Sequence, residues 1–172
     1  MIEIQGDIFD FINDPTVDAI CITTNGIVGN DGKCLMGAGT AGEAASRWPD
    51  IRKNVGKIIT NLGNVPGLIG IIDEKDQFVS PNRKVVESEN YKCLIFSYPT
   101  KEDYKDNSDI DLIVKSAYKM VNFADKFNLT KIMLPVMGCG VFTGRLNWEQ
   151  DVKPKVKEIL DDRFYIVFLE GH

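Results

Sequence analysis

The 172-residue sequence has few of the side chains on which most hydrolases and metal enzymes depend. Histidine occurs once, as His172, so a mechanism that needs a histidine base or a set of histidine ligands has almost nothing to use. The four cysteines, Cys21, Cys34, Cys93 and Cys139, are far apart and form no Cys-x-x-Cys pair. We therefore expect no disulfide, no metal or other cofactor, and no Ser-His or Cys-His catalytic pair.

Long apolar runs and an excess of positive charge are also missing. No segment approaches the roughly 20 apolar residues that cross a bilayer, and the opening "MIEIQGDIFD" has neither the basic start nor the apolar middle of a signal peptide. The 20 Lys and Arg residues are outnumbered by 25 Asp and Glu, for a formal net charge of −5. We expect a cytoplasmic protein with no membrane partner and no broad nucleic-acid surface, so any phosphate must be bound locally.

The sequence does contain an alternation of apolar strands and amphipathic helices. Its length and 44% hydrophobic share fit one domain, residues 1–172. Continuous apolar runs predict strands at Ile2–Gln5, Asp18–Thr23, Leu68–Ile72, Tyr91–Tyr98, Lys131–Val136 and Phe164–Leu169. Helices are predicted over about 39–47, 51–62, 109–127 and 152–161, and the polar stretch 73–90 is predicted to be a hairpin or loop. This order indicates an α/β fold with a mainly parallel sheet and helices on both faces.

Unusual residues follow four of the predicted strands. Asp7 follows the first strand, Asn25 and a glycine-rich segment follow the second, Thr100 and Lys101 follow "CLIFSYP", and "MGCGVFTGR" follows "KIMLPV". Ligands of parallel sheets bind outside the carboxyl ends of the strands. The sequence therefore predicts that these four groups face one crevice.

Two glycine-rich segments are the main candidates for ligand binding. In "GKCLMGAGTAGEAAS", Gly37 and Gly39 precede a helix start, where backbone N–H groups can approach an anion without an intervening side chain. The segment "GCGVFTG" at 138–144 offers a second run of such groups. Together they favour a diphosphate, whereas either one alone could simply permit tight packing. Neither contains Gly-Lys-Ser or Gly-Lys-Thr, which disfavours triphosphate hydrolysis.

The order of "GDIFD", "VDAICITTNG", "LMGAGTAGEA", "YPTK" and "LPVMGCG…LNW" resembles that of the macro domains, the ADP-ribose-binding α/β modules. Within them it is most similar to the branch that contains terminal ADP-ribose protein glycohydrolase and ADP-ribose 1″-phosphate phosphatases. The similarity runs from Ile2 to beyond Trp148. It implies a single three-layer domain with a mixed, mostly parallel sheet, and it implies ADP-ribose or an ADP-ribosylated macromolecule as the partner.

The resemblance also implies roles for individual residues. Asp7 and the Ile8 backbone would contact the adenine, and Asn25 would contact the distal ribose, with Phe142 packed near it. The diphosphate would be held by the two glycine-rich segments, through Gly37, Ala38 and Gly39 and through Gly138, Gly140, Val141, Thr143 and Gly144. Residue chemistry alone also allows Asp7 to be a helix N-cap, Asn25 a turn residue and Phe142 an apolar loop anchor.

Catalysis is the point on which two hypotheses remain. Lys101 matches the lysine that attacks the ribose anomeric carbon in the glycohydrolase branch, and partial burial would lower its pKa as a nucleophile requires. The alternative is an ordinary solvated lysine. No Asp or Glu occurs between Met137 and Trp148, where hydrolytic relatives carry an acid, and Asp31 or Glu149 are the possible substitutes. The chain is thus predicted to be an ADP-ribosyl glycohydrolase or ADP-ribose 1″-phosphate phosphatase, or else a non-catalytic reader or sequestering module.

A cysteine-dependent phosphatase is a more remote alternative. Cys139 and Arg145 are spaced as Cys-x5-Arg, and "WPD" occurs at 48–50. In such enzymes a thiolate attacks phosphorus while the arginine binds the phosphate oxygens. Short patterns of this kind arise by chance, and no histidine precedes Cys139.

Overall fold

The computed structural model describes residues 1–140 and 144–170, and the strands in these ranges form one seven-stranded sheet. The strands are β1 (Ile2–Gln5), β2 (Ala19–Thr24), β3 (Gly67–Asp73), β4 (Phe78–Val79), β5 (Tyr91–Pro99), β6 (Ile132–Pro135) and β7 (Phe164–Phe168). Their order across the sheet is β1-β7-β6-β2-β5-β3-β4. The predicted positions of the six main strands are confirmed to within a few residues.

The strand directions make the sheet mixed but mostly parallel, as predicted. β1, β7, β6, β2 and β5 all run parallel to one another. β3 is antiparallel to β5, and the short β4 is antiparallel to β3. The carboxyl ends of β1, β2, β5 and β6 therefore lie at one edge of the sheet, which we call the rim.

Helices cover both faces of the sheet. They are α1 (Gly39–Arg47), α2 (Ile51–Leu62), α3 (Arg83–Ser88), α4 (Ile110–Lys126) and α5 (Lys153–Val156), with a 3₁₀ helix at Ile8–Asn13 and a π-helical turn at Trp148–Val152. Within the described ranges, none of these helices combines the length and hydropathy needed to cross a bilayer.

The central strand β2 shows why the domain has three layers. Ile20 and Ile22 pack with the side chains of α1, α2 and the 3₁₀ helix, whereas Ala19 and Cys21 pack with those of α4 and α5. All four side chains are fully buried. A strand buried on both faces needs a continuous apolar run rather than an alternating one, which is the pattern in the sequence.

Local capping sets the start of α4. The Asp109 carboxylate accepts hydrogen bonds from the backbone N–H groups of Asp111 and Leu112, as the sequence predicts. The buried Tyr98 hydroxyl then donates to the Ile113 carbonyl at 2.7 Å, which ties α4 to β5. The first turn of α4 is thereby held against the strand that leads to Lys101.

Two predicted segments differ from the structure. The stretch 73–90 is predicted to be a hairpin or loop. Its first part is a hairpin, since Ile71 pairs with Val79, but the chain then forms the short helix α3. The helix predicted over 152–161 is helical only at Lys153–Val156 and follows a π-helical turn. The Asp161 carboxylate accepts a hydrogen bond from the Arg163 backbone N–H at 3.0 Å, so the chain turns toward β7 instead of extending the helix.

Helix α2 packs unusually closely against the chain that leaves β2. A Cβ atom at Gly56 would overlap the backbone carbonyl of Gly32. Two further hydrogen bonds join the same elements, because the Cys34 N–H donates to the Arg52 carbonyl at 2.9 Å and Arg52 Nε donates to the Cys34 carbonyl at 3.0 Å. The segment after β2 therefore rests on α2 as a fixed support.

We expect Gly56→Ala to lower the free energy of unfolding by about 1–3 kcal/mol, since the backbone must move to admit the methyl group. This loss exceeds the gain of about 1 kcal/mol in helix propensity. Urea unfolding followed by circular dichroism measures it. Lys57→Ala, at an exposed position of the same helix, is the control and should change stability by less than about 0.5 kcal/mol. Equal urea midpoints for Gly56→Ala and Lys57→Ala would contradict the close contact between Gly56 and the Gly32 carbonyl.

Candidate functional site

Three connections meet at the rim: residues 25–38 after β2, residues 100–109 after β5 and residues 136–147 after β6. We call the first of them the first glycine loop and residues 138–144 the second glycine loop. The Gly26 N–H donates to the Glu102 carbonyl at 2.9 Å, and the Ser108 N–H donates to the Gly144 carbonyl at 3.2 Å. The connection after β5 therefore contacts both glycine loops, in agreement with the prediction of a shared rim.

Asn25 organises the first glycine loop from within. Its Nδ2 donates to the Leu35 carbonyl at 2.8 Å, and its Oδ1 accepts from the Ile27 N–H at 2.9 Å. The Leu35 N–H also donates to the Ile27 carbonyl at 3.1 Å. Asn25 is buried, and both polar ends of its amide bind loop backbone. The turn role that residue chemistry allowed is thus present in the structure.

The start of α1 offers backbone N–H groups to a ligand. Ala38 is the N-cap and has an extended backbone, and within the described residues the helix start has no side-chain capping hydrogen bond. Gly39 has a φ of 59°, a conformation that glycine adopts without strain. Apart from its chain neighbours, no atom of the described residues lies within 4 Å of the position of a Cβ at Gly37 or at Gly39. Residues 37–39 are exposed, so an anion can approach the start of α1, where the helix dipole favours it.

A groove of about 550 Å³ runs along this helix start. It is lined by Met36, Gly37, Ala38, Gly39, Gly42, Glu43, Ala45, Ser46 and Arg52. Arg52 brings a permanent positive charge beside the predicted diphosphate segment. The sequence reasoning missed this residue, because only the packing of α2 against the first glycine loop brings it there.

Asp7 and Ile8 lie on the α1 side of the rim. The Asp7 Oδ1 accepts a hydrogen bond from the Phe9 N–H at 3.0 Å and so caps the 3₁₀ helix. Ile8 and Phe9 are buried in the same hydrophobic cluster as Met36 and α1. The N-cap role of Asp7 is therefore present, and the 3₁₀ helix fixes Asp7 and Ile8 on the face that carries the first glycine loop.

The second glycine loop is described in part. Gly138 has a φ of 75°, and its carbonyl accepts a hydrogen bond from the Leu146 N–H at 3.2 Å. The Gly144 N–H donates to the Gly140 carbonyl at 3.1 Å. A Cβ at Gly140 would meet open space. The predicted contacts Val141, Phe142 and Thr143 lie outside the described residues.

Lys101 lies in the connection that contacts both glycine loops. Its Nζ donates to the Asp106 carbonyl at 3.2 Å. Partial burial lowers the pKa of the Lys101 ammonium group, and this effect outweighs the opposing attraction of the Asp106 carboxylate. A lowered pKa increases the fraction of neutral amine, which is the nucleophilic form.

The two acids considered as substitutes are engaged in local structure. The Asp31 carboxylate accepts a hydrogen bond from the Lys33 N–H at 3.0 Å. Glu149 pairs with Lys153, with an N–O distance of 3.1 Å, and Lys153 also pairs with Glu3 of the edge strand β1. Across residues 1–140 and 144–170, no group of three or more His, Cys, Asp or Glu side chains could hold a metal ion.

The geometry disfavours the cysteine-dependent phosphatase. Trp48 stacks on Phe78 in the α1 and α2 layer, whereas Cys139 packs against the cluster on the opposite face of the sheet. Burial, followed by the charge of Asp151, raises the pKa of the Cys139 thiol to about 11, although a thiolate nucleophile needs a lowered pKa. The "WPD" segment and Cys139 do not form one site.

The sequence matches no protein family model and no curated protein. Solved structures do share its fold. The chain is 21% identical to the macrodomain of Thermus aquaticus DarG, with a TM-score of 0.67 over 97% of this chain and 96% of that one. It is 20% identical to the macrodomain of Mycobacterium tuberculosis DarG, with a TM-score of 0.65 over 96% of this chain and 95% of that one.

A third similar structure is that of Thermosipho africanus DarTG in complex with ADP-ribose. The identity is 21% and the TM-score is 0.71, and the match covers 98% of this chain but 41% of the DarTG chain. Likeness at these identities shows the fold. The predicted macro-type fold is therefore confirmed.

We expect Cys139 to resist alkylation. With a thiol pKa of about 11, only about one thousandth of the group is thiolate at pH 8, so iodoacetamide should react at least about 100-fold more slowly than with free cysteine. Peptide mass spectrometry over time measures the rate, with Cys139→Ser identifying the peptide. Rapid alkylation of Cys139, together with phosphate ester hydrolysis that Cys139→Ser abolishes, would restore the phosphatase hypothesis.

Proposed function

We propose that this chain, which has the macrodomain fold, binds ADP-ribose or a close derivative at the rim and hydrolyses the bond at its distal ribose. The substrate is an ADP-ribosylated macromolecule or ADP-ribose 1″-phosphate. One observation carries the proposal: Lys101 lies in the connection that hydrogen-bonds to both glycine loops. This arrangement brings a nucleophile of lowered pKa to the same rim as two sets of backbone donors.

The diphosphate is proposed to lie at the start of α1. Three features support this position: backbone N–H groups with no capping side chain, open space at Gly37 and Gly39, and the guanidinium of Arg52 along the same groove. Backbone dipoles and one cation can hold a diphosphate although the chain carries a net charge of −5. In the proposal, Gly138, Gly140 and Gly144 approach it from the other side.

The position of the diphosphate determines where the adenine and the distal ribose of the ligand would lie. Asp7 and the Ile8 backbone are proposed to bind the adenine, because the 3₁₀ helix fixes them on the α1 side of the rim. The distal ribose then points toward Lys101, with Asn25 beneath it. Since both polar ends of the Asn25 amide already bind loop backbone, its contribution is chiefly to shape the loop around the ribose.

The proposed reaction uses the neutral amine of Lys101. Nζ attacks the anomeric carbon, a bond from carbon to nitrogen forms, and the bond to the macromolecule or phosphate breaks with departure of that group. Water then cleaves the bond to Lys101 and releases ADP-ribose. The charge of the Asp106 carboxylate acts on Lys101. Among the described residues, we assign this carboxylate the role of stabilising the cationic intermediate.

A non-catalytic reader is the second candidate. It is favoured by the lack of Asp and Glu between Met137 and Trp148. It is favoured too by the local bonds of Asp31 and Glu149, because the first carboxylate already accepts from the Lys33 N–H and the second is paired with Lys153. A reader needs the glycine loops and Asp7 but gains nothing from Lys101 as a nucleophile.

We expect Asp7→Ala to weaken ADP-ribose binding by about 1–3 kcal/mol, since the ligand loses a hydrogen bond to a charged acceptor. Isothermal titration calorimetry measures the loss. Asp7→Ser separates the two roles of this residue, because serine still caps the 3₁₀ helix but lacks the carboxylate; it should bind as weakly as Asp7→Ala with a smaller loss of stability. Asp10→Ala, at an exposed position of the same helix, is the control. Equal affinity of the wild type for AMP and ADP-ribose would contradict the distal-ribose site.

We expect Lys101→Ala to abolish turnover of the ADP-ribosylated substrate or the 1″-phosphate, because the attacking amine is removed. Affinity for ADP-ribose should stay within about threefold, since the diphosphate and adenine contacts remain. Lys105→Ala, on the same connection, is the matched control and should keep wild-type turnover. Tight binding by the wild type with no turnover of either substrate would favour the reader.

A further inference from the structure

The connection that carries Lys101 is held by Asn64, a residue outside the predicted site. Asn64 lies between α2 and β3, directly after Gly63, whose N–H bonds back to the Ile59 carbonyl at the end of the helix. Its Nδ2 donates to the Lys101 carbonyl and to Glu102 Oε2, both at 3.1 Å. One amide group therefore binds the backbone of Lys101 and the side chain of the next residue.

The same junction includes the first glycine loop. The Gly26 N–H donates to the Glu102 carbonyl at 2.9 Å, and a Cβ at Gly26 would lie 2.8 Å from Asn64 Nδ2. Three segments that are distant in sequence thus meet without space for another side-chain atom. A shift of Asn64 would be transmitted to the loop on one side and to Lys101 on the other.

The orientation of the Asn64 amide follows from these contacts. In the opposite orientation, Oδ1 would face the Lys101 carbonyl and the Glu102 carboxylate, which are both acceptors. In the observed orientation, Oδ1 is buried and has no hydrogen-bond partner in the part of the chain that the structure describes. A buried acceptor without a donor is unfavourable, so the two bonds from Nδ2 determine how the amide is placed.

The carboxylates of Asp106 and Glu102, both close in sequence to Lys101, make different interactions. The Asp106 carboxylate acts on the Lys101 charge, and Lys101 Nζ donates to the carbonyl of the same residue. The Glu102 carboxylate instead accepts from Asn64, on the side of the Lys101 backbone. The elements that face this connection contribute the uncharged residues Gly26, Asn64 and Gly144.

We propose that Asn64 is a positioning residue for Lys101: by binding the Lys101 carbonyl and the Glu102 carboxylate together, it keeps that carboxylate away from the Lys101 amine. The inference rests on the nucleophilic role proposed above. Without the amide, Glu102 is free to turn toward Lys101 and favour its protonated form. Asn64 thus prevents the Glu102 carboxylate from lowering the fraction of Lys101 that is a neutral amine.

The test is a double-mutant cycle read out on the free protein. Acetic anhydride labels neutral lysine amines, and peptide mass spectrometry gives the rate for each lysine at pH 8. Asn64→Ala should slow the acetylation of Lys101 by about threefold to tenfold, which corresponds to a pKa rise of about 0.5–1 unit. Glu102→Gln alone should leave the rate within about twofold of the wild type, and adding it to Asn64→Ala should restore the rate.

The rescue distinguishes positioning from a purely structural role. A structural role would lower the melting temperature to a similar extent in Asn64→Ala and in the double variant, and the second change would not restore Lys101 reactivity. Lys105 in each sample is the internal control. If Asn64→Ala does not fold, Asn64→Leu with and without Glu102→Gln forms the same cycle, since leucine keeps the approximate size of asparagine but lacks the amide and adds no charge.

An unchanged Lys101 rate in Asn64→Ala, or a slow rate that Glu102→Gln does not restore, would overturn the inference. Because the labelling uses no nucleotide, its outcome is separate from that of the proposed function. Failure of the proposed function would appear as wild-type protein that neither binds ADP-ribose nor turns over its derivatives. Where turnover is present, Asn64→Ala should lower kcat more than it changes KM, and Glu102→Gln should restore it.

Discussion

The parallel pairing of β2 with both of its neighbours is the constraint on which the site depends. Thr24, the last residue of β2, is opposite Pro99, the last residue of β5, and β6 pairs with the other side of the same strand. The segments that follow β2 and β5 therefore leave the sheet next to each other, at the same position along the strands. Hydrogen bonds then join the two connections directly, and the connection after β5 reaches the second glycine loop. If the register of β2 slipped by one residue, its buried side chains would face the wrong layers and the rim would lose its alignment.

The rim also shows how an acidic protein can carry groups that are suited to binding an anion. A net charge of −5 disfavours a broad surface for nucleic acid, but charges separated by more than about 10 Å are largely screened in salt. At the start of α1 the local groups include backbone N–H dipoles and Arg52, and the Glu43 carboxylate of the same groove is paired with Arg47 at 2.9 Å. In the proposed function, Lys101 adds a second cation or, when neutral, a nucleophile. Two acidic residues, Glu102 and Asp106, are close in sequence to Lys101. The Glu102 carboxylate accepts a hydrogen bond from Asn64, and the Asp106 carbonyl accepts one from Lys101 Nζ. These two bonds determine how the two carboxylates act on Lys101.

The errors in predicting the fold from sequence have a common cause. The long strands and α4 were predicted correctly because each buries enough apolar surface to leave a periodic or continuous pattern. β4 has two residues, and its position depends on pairing with β3 and on the stacking of Phe78 against Trp48. The end of α5 is followed by a tight turn, in which the Ile159 N–H donates to the Val156 carbonyl at 3.0 Å, and by a second turn that the Asp161 side chain closes. Such elements are selected by contacts with distant residues, so a local window of sequence contains little signal for them.

The sequence by itself determined the α/β class and the glycine-rich segments after two buried strands, because apolar runs and glycine positions are local properties. Its resemblance to the macro domains made Asp7 and Lys101 candidates. Tertiary structure alone decided that Arg52 lies along the α1 groove, that Asn64 holds the Lys101 connection, and that burial raises the pKa of the Cys139 thiol. Contacts and pKa values of this kind depend on which side chains are buried together, and residues far apart in sequence become neighbours only when the sheet has formed.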